Sequence, residues 1–61
     1  MSKPLEDITG EEFKAYENVR SQGLYNMLDP AARELSGLDR YTYFGVMEHY
    51  TELAALYIKE A

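Results

Sequence analysis

Between Asp39 and Ala61, apolar residues recur in alternating steps of three and four: Tyr43, Val46, Tyr50, Leu53 and Tyr57. That spacing is one stripe of an α-helix, and strand alternation fits it poorly. Tyr43, Tyr50 and Tyr57 lie seven apart and stack along one side. Phe44, Met47, Ala54 and Ile58 form a flanking row, so the apolar face is wide, as on a helix packed on more than one side. The spacing predicts one long C-terminal helix of roughly 21 residues, about 32 Å from end to end. Such a helix has more apolar surface than so short a chain is expected to cover.

Upstream, the pattern predicts two shorter helices. Thr9 with Glu12 matches a capping box, with Ile8 and Phe13 in the staple positions. Phe13, Ala15, Tyr16 and Val19 give the apolar face of a helix running to about Gln22. Gly23 is placed to end it in the left-handed conformation, with Leu24 folding back toward Val19. Leu24 to Leu28 is a connector rich in large apolar groups and is expected to plug the core. Asn26 should bond to the backbone in its turn. Asp29 and Pro30 are a second start signal, and a short helix should end at Gly37. Asp39 is the third N-cap, and Leu38 staples Tyr43 across it. Gly45, inside the last helix, costs roughly 1 kcal/mol relative to alanine; it either lets another backbone come close or is simply tolerated.

The predicted fold class is therefore all-α: a small three-helix unit of helix, short helix and long C-terminal helix. Residues 1–8 read as a flexible N-terminal lead and 9–61 as a single helical domain. Sixty-one residues make a marginal core, which disulfides, metals or oligomerisation usually support. With no cysteine and one histidine, disulfides and His/Cys metal clusters are excluded; association with a copy or a partner is the remaining support, and a well-packed helical unit can also fold unassisted. The net charge of −5 disfavours phosphate backbones. No apolar run is long enough to span a membrane, and the N-terminus lacks a signal-peptide core; the expectation is a cytoplasmic chain.

Two motif-level resemblances follow. Gly37, Leu38, Tyr43 and Val46 are spaced as in a helix-turn-helix segment. That resemblance implies a second helix in the major groove, presenting Arg40, Tyr41, Phe44, Gly45 and Glu48. Arg33 departs from the pattern where a small residue is usual, and an ordinary helix–glycine–helix corner explains the same spacing. Further, Val19, Arg20, Ser21 and Gly23 (with Gln22 standing between the serine and the glycine), then Asn26 and Met27, then Leu35, Ser36, Gly37 and Leu38, then Tyr50 with Leu53 and Tyr57 resemble small helical accessory proteins encoded by bacteriophages. Those carry a VR-S-G-x-x-NM turn and a closing Y-x-x-L helix. The resemblance implies a non-enzymatic protein in the host cytoplasm that binds and blocks a host protein, such as one of an antiviral defence system.

The candidate interface, for a homo-oligomer (a dimer first) or another partner, is Tyr43, Val46, Tyr50, Leu53 and Tyr57; tyrosine suits interfaces because its body is apolar and its tip polar, and the same tyrosine row could equally be monomer core facing the first helix, with different tyrosines in each role. Candidate polar contacts are Arg20, Asn26, Arg40, Glu48 and Glu52. Glu48, Glu52 and Glu60 would form an acidic face that steers the chain to a basic patch. Arg20 could instead bind helix-end carbonyls at the C-terminal turn, or pair with Glu17 or an acid of the long helix. The alternative function is an oligomeric sponge for a nucleotide-derived immune signal, with Arg20 or Arg40 on phosphate and a tyrosine on the base. A DNA-binding regulator is the second alternative. His49 has no nucleophile or second histidine to work with, so catalysis, cofactor and metal are not expected.

Overall fold

A computed structural model describes residues 2–58. The described chain is all-α. A 3₁₀ turn, Leu5–Asp7, precedes α1 (Gly10–Gln22), α2 (Pro30–Ser36), α3 (Arg40–Glu48) and α4 (Tyr50–Tyr57). Each of the first three helices begins where its cap stands. The Glu12 amide donates to the Thr9 hydroxyl at 3.1 Å and the Thr9 amide donates to the Glu12 carboxylate at 3.0 Å. Asp29 accepts from the Ala31 amide and Asp39 from the Thr42 amide. Gly23 and Gly37 end α1 and α2 with φ of 69° and 75°, a region where a side chain would be strained.

The long final helix is not continuous. His49, at φ −106° and ψ 24°, closes α3 and opens α4. Its N–H donates to the Gly45 carbonyl, and its own carbonyl accepts from Leu53. No proline or glycine stands at the break. Tyr43 and Val46 of α3 and Leu53 of α4 join one core with Ile8, Phe13 and Tyr16. The α4 helix runs antiparallel to α1: Tyr50 meets Tyr16 and Phe13, while Tyr57 reaches Phe13 and Gly10. The expected extension of the last helix to Ala61, and the place of Glu60 in an acidic face, lie outside the described residues.

Residues 2–8, expected to be a flexible lead, instead pack on α3. Ile8 is buried and Leu5 lies against the core. The Lys3 amide donates to the Tyr41 carbonyl at 3.1 Å. Its ammonium pairs with Glu12 at 2.9 Å, and the Ser2 hydroxyl donates to the Glu48 carboxylate. Gly45 admits this strap. A Cβ there would stand 2.6 Å from the Lys3 carbonyl oxygen and 2.8 Å from its nitrogen.

Candidate functional site

The stripe expected to be an interface is divided between interior and surface. Tyr43, Val46 and Leu53 are fully buried in the chain's own core, a correction to their reading as a surface. What α1 and the lead contribute is enough to cover them once the last helix bends. Tyr43 finds a polar partner inside: its hydroxyl donates to the Met27 carbonyl at 2.7 Å. Burial pushes this phenol's pKa up, and the nearby Arg33 guanidinium pulls it down.

Tyr50 is half-buried between Phe13 and Tyr16. Its hydroxyl donates to Glu17 at 2.7 Å. Arg20 grips the same carboxylate with two nitrogens, each at 2.9 Å, and its guanidinium carbon sits 4.9 Å from the Tyr50 ring centre. The three side chains thus satisfy one another. The Arg20 hydrogen bonds, then that from Tyr50, hold the Glu17 carboxyl below its ordinary range against desolvation. Desolvation and the Glu17 contact raise Tyr50. Arg20 is therefore engaged within the fold. Tyr57 remains 40% exposed at the end of α4, its ring over Gly10.

The remaining polar candidates do not converge. Asn26 shapes the connector, its side-chain oxygen accepting from the Leu28 amide at 2.9 Å and its carbonyl from Asp29. Glu48 receives the Ser2 hydroxyl. Glu52 is exposed in the first turn of α4. Arg40 is exposed, with its guanidinium 5.7 Å from the Phe44 ring centre. Of the groove-facing set implied by the helix-turn-helix resemblance, Gly45 is buried under Lys3 and Glu48 is tied to Ser2. The strap thus covers part of the α3 face that would enter DNA.

What sequence reasoning missed lies in the connector and beside it. Leu24 and Leu28 were expected in the core, yet they are 71% and 69% exposed, and Tyr25 is exposed with them. Of the connector's apolar groups only Met27 packs against the core. The reason is local: the Asx turn at Asn26 and the early cap at Asp29 confine residues 26–29 to a tight bend that can turn one side chain inward. Leu24, immediately after the left-handed Gly23, does not fold back to be covered. The second omission is Arg33. With Arg40, Leu28, Pro30 and Phe44 it lines a cleft of about 210 Å³ between α2 and α3. The available signal was the pair of arginines flanking the Gly37 turn, seven residues apart.

Among the described residues, no group of three His, Asp or Glu side chains is gathered to hold a metal ion. No buried side-chain nitrogen or oxygen among them lacks a hydrogen-bond partner. No described helix is long and apolar enough to cross a membrane. No family model, curated protein or solved structure matches the chain.

Proposed function

We propose that the chain is a non-enzymatic binding module, of the phage accessory type that its turn and closing helix resemble, and that it acts in the host cytoplasm by occupying a surface of a host protein. The observation that carries this reading is the exposed connector. Leu24, Tyr25 and Leu28 present three large apolar groups within five residues, and the core closes without them. Exposed apolar groups gathered together mark interaction surfaces. An antiviral-defence protein is the partner class the resemblance favours.

The connector also alters where a homo-oligomer would form. With Tyr43, Val46 and Leu53 inside the monomer, the large exposed apolar groups left along the described part of the last segment are Tyr41, Leu56, Tyr57 and Ile58; the connector offers Leu24, Tyr25 and Leu28 as a second seam. The nucleotide-sponge alternative has less support, because Arg20 is committed to Glu17 and Tyr50. The DNA-binding alternative meets the acidic charge and the strap over α3.

The test compares the intact chain with a Leu24→Ser, Leu28→Ser double variant, both immobilised and exposed to bacterial lysate. A protein retained by the first and lost from the second, at unchanged circular dichroism, is the expected result. Equal retention by both, or by neither, removes the connector as the contact. Light scattering of both variants across concentration reports whether a second copy uses the same surface.

A further inference from the structure

The basic residues of the described chain are not used alike. Lys3 pairs with Glu12 and Arg20 with Glu17. Arg33 and Arg40 form no ion pair among the described residues, and both line the same cleft, between the last turn of α2 and the first turn of α3. The one carboxylate lining that cleft belongs to Asp29, whose oxygen already accepts from the Ala31 amide. Phe44, Pro30 and Leu28 supply its apolar walls. Among the residues that line the cleft, two guanidiniums without an ion pair among the described residues stand against one capped carboxylate, an excess of positive charge in the lining of a chain of net charge −5. At physiological salt, charges beyond about 8 Å are largely screened, so this local excess decides what the cleft attracts.

Size decides among anions. The cleft holds about 210 Å³, below the roughly 300–1,000 Å³ of pockets that enclose a small-molecule ligand. It is too small to enclose a base, a ribose and a phosphate together, but it accommodates an acidic side chain. Leu28 belongs both to its wall and to the exposed connector. An apolar residue next to the acid would therefore rest on Leu28 as the carboxylate enters.

We infer that the α2–α3 cleft receives a carboxylate side chain of a protein partner, held by Arg33 and Arg40, with an adjacent apolar residue of that partner seated on the connector. The inference deepens the proposed function and rests on its reading of the connector. Arginine suits a carboxylate because its planar fork can donate two parallel hydrogen bonds to it, as it can to phosphate.

The experiment uses the full chain, isotopically labelled, and nuclear magnetic resonance. The probe is an end-capped Leu-Glu-Leu peptide, compared with its Leu-Gln-Leu analogue, sodium acetate and inorganic phosphate. The glutamate peptide is expected to shift the Arg33 and Arg40 Nε–H signals and the Leu28 amide, leaving the Arg20 Nε–H in place. The glutamine analogue should bind about tenfold more weakly, since it forfeits a charge-assisted contact. Arg33→Gln and Arg40→Gln should each reduce the glutamate peptide's affinity to a similar degree, and Arg20→Gln should not. Equal binding of the two peptides, or no shift with either, overturns the inference. So does acetate or phosphate matching the peptide, which would mean a small-anion site, or the same signals moving with the chain's own concentration, which would mean a second copy. These results differ from failure of the proposed function, because lysate capture dependent on Leu24 and Leu28 can persist when the cleft binds no acid.

Discussion

The backbone of Lys3 lies where a side chain on Gly45 would have to go: a Cβ would come within 2.6 Å of the Lys3 carbonyl oxygen. The contact joins the start of the described chain to the middle of α3 and gives a mid-helix glycine a structural purpose. By propensity alone, Gly45→Ala would stabilise α3 by about 1 kcal/mol. Here it should destabilise the chain by roughly 1–3 kcal/mol, the usual range for forcing atoms into an occupied space. Urea unfolding checks the sign. Deleting residues 1–4 should reverse it, making alanine the better residue in the shortened chain.

The hydroxyl of Tyr43 should contribute to stability independently of its ring. Tyr43→Phe keeps the aromatic contacts and leaves the Met27 carbonyl without its 2.7 Å donor. A loss of about 0.5–1.5 kcal/mol is expected, read as a lower urea midpoint with an unchanged slope.

Leucines of the same chain should behave oppositely. Leu53 is fully buried, and Leu53→Ala should cost about 2–5 kcal/mol, enough to unfold much of a small domain. Leu24→Ser and Leu28→Ser should change stability by no more than about 0.5 kcal/mol each. Thermal unfolding of the three variants checks the contrast.

Acid should weaken the fold through Glu17. Its carboxyl is held below the ordinary range, first by Arg20 and then by Tyr50. A lowered folded-state pKa means that the unfolded chain binds the proton more readily. The contribution is present above the unfolded value of about 4.3 and is lost as pH falls through the folded value. Glu12, where the Lys3 and Thr9 hydrogen bonds outweigh desolvation, acts in the same direction. Urea midpoints should drop between neutral pH and pH about 3, and Glu17→Gln should flatten part of that drop while lowering the neutral-pH midpoint.

Local signals that act within a few residues were legible before any coordinates. The capping box at Thr9, the Asp29–Pro30 and Asp39 starts, and the glycine stops at Gly23 and Gly37 depend only on neighbouring groups, and each stands where the pattern puts it. The helical class follows from the same grammar. The periodicity of Tyr43, Val46, Tyr50, Leu53 and Tyr57 also marked the stripe as helical, though in two helices and not one. It carried no information on what would cover that stripe, because a period says which residues share a face and nothing about the neighbour.

The tertiary structure decided the rest. The break at His49 divides the last segment into α3 and α4, and no proline or glycine there announces it. Burial of Tyr43 required a carbonyl sixteen residues away in sequence, at Met27. Arg20 turned inward to Glu17 and Tyr50, whereas Arg33 and Arg40 were left facing one cleft. Sequence thus determined where helices begin and end, since those choices are settled by hydrogen bonds within a turn. Packing determined which apolar and charged groups remain available to a partner, since that depends on contacts between segments far apart along the chain.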